Sequence, residues 1–213
     1  MGKSLTRSKV LFWILIWVLQ ILLIGVIVPS NWLVEQVEGE RHMTASWLGH
    51  ETVVEMVENA DNKFDVWFQQ TRLVERSFAL IPTQAQRDRS IGMEDMGAGI
   101  WEYVETRIEI MWVTVYQGLQ RMAMISLWMP YLLPMLVPAV VQGICAREIK
   151  KVSYGYASPV VYHSAGHMMA LLLVLPLFYI TSPFGVHPAA VLVWGIALSI
   201  TLLGMISNVQ KTI

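Results

Sequence analysis

A chain of 213 residues with 55% hydrophobic and only 15% charged side chains, and a mean hydropathy of +0.50, is too apolar for an ordinary soluble domain, which carries about 25% charge. Its runs of about 20 apolar residues place it among integral membrane proteins. The net charge of −1 conceals a segregation: residues 31–109 hold 15 acids and 7 bases, a balance of −8, and the rest holds 8 bases and 1 acid, a balance of +7, the asymmetry that marks cytoplasmic flanks.

In chain order, residues 1–9 carry Lys3, Arg7 and Lys9 and read as a cytoplasmic N-terminus. An apolar run from Val10 to Val28 follows, interrupted by Gln20 and Gly25. At 19 residues it exceeds the ~7–15 of a signal-peptide core, and no A-x-A site follows, so residues 10–29 are read as an uncleaved first span, TM1. Trp13, Trp17 and Trp32 fit aromatic anchoring at its two interfaces.

Residues 30–117 read as an amphipathic helical segment. Trp47, Leu48, Val54 and Val57 recur with helical spacing, and Phe64, Trp67, Phe68, Val74, Phe78 and Ile81 make a clearer stripe that Pro82 should stop. The polar, glycine-bearing residues 83–99 read as a flexible connection. A further helix should begin near Ile100 and run without a break into the membrane.

Residues 118–146 form the second span, TM2, with Pro130, Pro134 and Pro138 four apart and Arg121 near its outer edge. Each proline removes an N–H, so the carbonyls of Ser126, Pro130 and Pro134 need other donors, and the helix should bend. A packed, bent helix and a moving gate are both compatible with that pattern. Arg121 should snorkel to the interface or pair with an outer carboxylate. The lone Cys145 cannot form an internal disulfide and is read as a buried thiol.

Residues 147–159, with Arg147, Lys150 and Lys151, form a basic turn, and Ser158-Pro159 is a helix start. The third span is 160–181, containing Pro176; 182–187 is a tight turn; the fourth span is 188–207; and 208–213 is the C-terminus. Both termini and the basic turn carry the positive excess, so that side is cytoplasmic and the acidic segment faces outward. The expected fold is all-α: four transmembrane helices with an amphipathic helical periplasmic segment between the first and second.

His163 and His167 share a helix face, yet the Glu of H-E-x-x-H is missing and no third ligand is evident, so they are only a weak metal candidate. No phosphate loop, G-x-S-x-G or framed carboxylate pair is present, and the spans contain no carboxylate for a proton relay. The expectation is a protein without enzymatic activity or cofactor, embedded in the lipid bilayer, with no direct nucleic-acid contact and with self-association left open.

From Arg121 onward the chain resembles a known family. The proline-bearing span ends in A-R-E-I-K-K; Val161-Tyr162-His163 opens the third span; His187-Pro188 opens the last. These features, with an arginine before the proline-laced span and an aromatic outer helix around Trp67-Phe68, resemble the small inner-membrane proteins of integrating conjugative elements and conjugative plasmids. Those are encoded beside the type IV coupling ATPase. The resemblance implies a non-enzymatic inner-membrane subunit supporting conjugative DNA transfer, partnered by the type IV coupling protein or other conjugation-apparatus membrane subunits. It carries Tyr162, His163, His187 and Pro188 over as motif positions without assigned chemistry. The alternative reading is a small transporter or channel gated at the proline-laced span; a membrane metalloenzyme using the histidine pair is disfavoured.

Overall fold

A computed structural model describes the backbone of residues 2–82, 94–153 and 155–209, with side chains except those of 2–10, 22 and 94–98. The described residues contain seven α-helices and no strand: α1 Gly2–Ile27, α2 Ser30–Leu48, α3 His50–Phe64, α4 Leu73–Phe78, α5 Glu94–Val152, α6 Pro159–Thr181 and α7 Ala189–Ser207. The helices α5, α6 and α7 are long and apolar enough to cross a membrane. The number becomes four if α1 and α2, bent by 116° at Val28-Pro29, count as one broken span. The molecule is a membrane protein of helices, in two compact units.

The first unit comprises residues 1–123 and 180–185. Gly49 ends α2 by adopting φ +93°, a conformation natural to glycine, and returns its N–H to the Ala45 carbonyl at 3.1 Å. This glycine resets the helical phase. The expected stripe Trp47, Leu48, Val54, Val57 is therefore not the packed one: Trp47 and Val54 are exposed, whereas Leu33, Val37 and Thr44 of α2 and Val53, Met56 and Ala60 of α3 are buried. The aromatic stripe after Phe64 is likewise not one helix. Residues 65–69 form a single wide π turn, Arg72 takes the left-handed φ of 56°, and only six residues of α4 follow. Phe64 and Phe68 still stay together, because both rings lie edge-on to Trp112 of α5, with centroids 5.9 and 5.4 Å away.

The long helix α5 has 59 residues, about 88 Å at 1.5 Å per residue. It begins at least as early as Glu94, before the expected Ile100; residues 83–93 of the expected connection lie outside the described residues. It stays helical through Pro130, Pro134 and Pro138, all three of which are on its exposed side.

The second unit comprises residues 124–179 and 186–213. Small residues let its helices approach. A Cβ on Gly143 would lie 2.9 Å from the Ile206 Cβ, and one on Gly195 would collide with the Leu132 side chain. Trp194 Nε1 donates to the Leu172 carbonyl at 2.8 Å, satisfying an indole inside an apolar layer. A cavity of about 60 Å³ beside it is lined by Ile125, Leu175, Pro176, Tyr179 and Val191 among others. Cys145 is exposed, against the expectation of a buried thiol, because α5 presents Gly143 rather than Cys145 to α7.

Candidate functional site

The most strongly organised polar site is built around Arg121, which is 1% exposed. On α2 the positions Leu33, Val37, Glu40 and Thr44 follow one helical face, so Glu40 is carried into the same layer as its apolar neighbours. On α5, Ile110, Gln117 and Arg121 do the same. Arg121 Nε meets Glu40 Oε1 and Oε2 at 3.0 and 3.2 Å, and Nη2 meets Oε2 at 2.8 Å, a bidentate grip. The remaining fork donates from Nη1 to the Ser182 carbonyl and from Nη2 to the Phe184 carbonyl. Gln117 Nε2 adds a third donor to Glu40 at 3.1 Å.

The turn that offers those carbonyls is itself seated on α2. The Gly185 N–H donates to Gln36 Oε1 at 3.1 Å, and a Cβ there would lie 3.1 Å from the Gln36 carbonyl, so glycine suits the approach. Trp32 packs edge-on to Phe184 at 5.5 Å. Of the two readings open for Arg121, the structure has the ion pair, with Glu40 of the acidic segment 31–109. Chemically, this arrangement is a latch: every named oxygen accepts, and the guanidinium ties α2, α5 and the 182–185 turn together.

A second cluster surrounds Tyr116, whose hydroxyl donates to Asp61 Oδ1 at 2.5 Å and whose ring stacks edge-on to Phe64. Burial, then the bond to Asp61, pushes the Tyr116 hydroxyl above its ordinary 10.0, while the Arg41 charge, 5.8 Å from the ring, opposes this. Gln120, with its amide oriented to suit its neighbours, accepts from Arg41 Nε and Nη2 at 3.2 and 2.6 Å. Trp112 Nε1 donates to Ser77 Oγ at 2.8 Å and anchors α4.

The remaining sequence-selected residues resolve into local devices. Lys150 Nζ donates to the Ser207 carbonyl at 3.1 Å and to Asn208 Oδ1 at 3.0 Å, placing a cation on the C-terminus of α7. Asn208 Oδ1 also accepts from the Ser158 N–H at 3.2 Å, so one amide joins the ends of three helices. Ser158 Oγ in turn accepts from the Val161 N–H at 3.4 Å, the expected cap of α6. Lys151 pairs on the surface with Glu148, and that hydrogen bond holds the Glu148 carboxyl below its ordinary range. Arg147 is half-buried, and it lies with Lys150 and Lys151 in the last turns of α5, which stays helical to Val152 rather than ending at the expected basic turn; Tyr154 lies outside the described residues.

His187 Nδ1 accepts from the Ala189 N–H at 3.1 Å and Pro188 is fully buried, so the His-Pro motif opens α7. Tyr162 and His163 make an edge-on ring contact at 5.5 Å. His163 and His167 are both exposed, and His167 Nδ1 sits 2.7 Å from the His163 carbonyl. Among the described residues no three His, Cys, Asp or Glu are grouped to hold a metal ion.

Sequence reasoning named Arg121 but missed Glu40, Gln117, Asp61 and Asn208. Glu40 and Gln117 were accessible through phase alone, since each sits at i+3, i+4 or i+7 from buried neighbours. Asp61 and Asn208 depend on contacts between distant segments. No curated protein and no solved structure matches the chain. One family model, described as IncC plasmid conjugative DNA transfer protein DtrJ-like, matches residues 29–210, which include both polar clusters and all three long apolar helices. The chain therefore belongs to the DtrJ-like family of conjugative DNA transfer proteins.

Proposed function

We propose that the protein is a non-enzymatic accessory subunit of the bacterial inner membrane, acting in conjugative transfer by associating with the type IV coupling ATPase or the secretion channel. The observation that carries this reading is the family match over residues 29–210 on a chain whose apolar helices leave large side chains exposed along their length. In the coupling role, residues 31–109 with their balance of −8 face the periplasm, and the basic end of α5 with Arg147, Lys150 and Lys151 faces the cytoplasm. The absence of a nucleophile–base frame from the sequence supports a scaffold over a catalyst.

The role of α1 decides between three and four spans. Trp17 Nε1 donates to Thr181 Oγ1 at 3.2 Å, and Arg107 Nη1 donates to the Val28 carbonyl at 2.9 Å. Arg107 lies 14 residues before Arg121, about 21 Å along α5. The end of α1 at Val28 thus lies beside Arg107 of α5, and Trp17 lies beside Thr181. The four-span reading places residue 1 in the cytoplasm, and a reading with α5, α6 and α7 as the only spans places it on the other side. A reporter fused to residue 1 separates the cases: a cytoplasmic signal supports four spans, and an outer signal leaves three.

The functional reading is tested by deleting the gene from a self-transmissible plasmid. Mating should fall sharply and be restored by the wild-type chain in trans. Unchanged mating would contradict it.

A further inference from the structure

One face of α5 carries polarity where a lipid-facing helix should have none. At about 100° per residue, Tyr131, Pro138, Gln142 and Cys145 fall within about 60° of one another. All four are exposed, on a different side of the helix from the buried Leu132, Ala139 and Gly143. Neither the Tyr131 hydroxyl nor the Gln142 amide has a hydrogen-bond partner among the described residues. Gln142 lies about 7.5 Å before Arg147 along the helix, and Tyr131 about 15 Å beyond Arg121, so on the spanning reading of α5 both sit within the hydrocarbon layer. Polar groups at that depth face protein or water rather than lipid.

The chemistry of the face indicates what covers it. Residue 134 is a proline without an N–H, so the Pro130 carbonyl lacks its donor from the next turn. The face therefore holds an acceptor at Pro130, a donor at the adjacent Tyr131, and at Gln142 an amide that is both. Two copies in one membrane share one orientation, so their α5 helices meet in parallel about a two-fold axis and present equal residues at equal depth. The set is then self-complementary. The Tyr131 hydroxyl of each copy donates to the Pro130 carbonyl of the other, and the two Gln142 amides bond to each other.

We propose that this face of α5 is the interface of a homodimer, with the Tyr131 and Gln142 hydrogen bonds as its polar centres. The proposal goes beyond the accessory role and rests only on α5 spanning the membrane.

The native Cys145, three residues from Gln142 on the same face, is the reporter. Full-length protein in liposomes at low protein-to-lipid ratio should give a disulfide-linked dimer through Cys145 on mild oxidation. Cys145→Ser with Ile144→Cys moves the thiol to an exposed position on another side of α5 and should not. Gln142→Leu and Tyr131→Phe together should lower the Cys145-linked fraction about tenfold. Both side chains lack hydrogen bonds in the single chain, so that loss reports the interface rather than folding. Tyr131→Phe removes one oxygen and keeps the ring that meets Trp128, so it carries the test by itself if Gln142→Leu is lost from carbonate-washed membranes. Absence of a Cys145-linked dimer, equal linkage from residue 144, or linkage unaffected by the substitutions overturns the proposal. So does linkage of Cys145 to a different protein, instead of to itself, in donor membranes. Liposomes hold no other conjugation subunit, so the outcome there is independent of the accessory role.

Discussion

Arg121 illustrates how one buried charge can organise distant segments. A guanidinium that is 1% exposed is tolerable only because its fork is occupied by a carboxylate and two carbonyls. Removing one partner strands the other, so Arg121→Ala or Glu40→Ala should each destabilise the fold by about 3–5 kcal/mol. The double variant should cost less than the sum, read by thermal unfolding in detergent. Arg121→Lys should rescue poorly, since an ammonium cannot reproduce the bidentate grip. Tyr116 gives a milder, pH-dependent case. Its hydroxyl is held above its ordinary 10.0, so the folded state keeps its proton to higher pH than the unfolded chain. Its contribution is complete below about pH 10 and is lost as pH rises further. Tyr116→Phe should lower stability at neutral pH by about 1 kcal/mol and flatten the alkaline fall, measured by denaturant unfolding across that range. At this scale the arginine was legible from its place at a span edge, and its partner only through the phase of α2, because the carboxylates of residues 31–109 otherwise look alike in sequence.

At the scale of elements, single residues decide where helices stop and how close they come. The sequence pattern found the long helix, the Ser158-Pro159 start and the His187-Pro188 start, because each rests on local backbone chemistry. It mistook the register of α3 and the length of the aromatic stripe, because Gly49 and Arg72 rotate the phase between consecutive helices. Glycine contacts in the second unit were open only to the fold. Gly143→Ala should cost about 1–3 kcal/mol, since the added Cβ meets the Ile206 Cβ and not a flexible chain end. Gly204→Ala, with nothing within 4 Å, should be close to neutral in the same unfolding experiment. Equal effects at both sites would show that α5 and α7 pack otherwise.

For the whole molecule, composition and charge segregation pointed to a helical membrane protein, and the family match joins that chain to conjugative DNA transfer. The apolar character of α5, α6 and α7 was plain in the sequence. The contacts of α1 were not, since they are hydrogen bonds from Trp17 and Arg107 to oxygens distant in sequence. Exposed apolar residues along these helices, together with the acidic segment 31–109, leave broad surfaces for lipid and for other subunits. The central claim is that the protein works through such a subunit. Affinity purification of the tagged, complementing protein from donor-cell membranes in mild detergent should co-isolate the coupling ATPase or a secretion-channel subunit. Recovery of the folded protein without either would contradict the account.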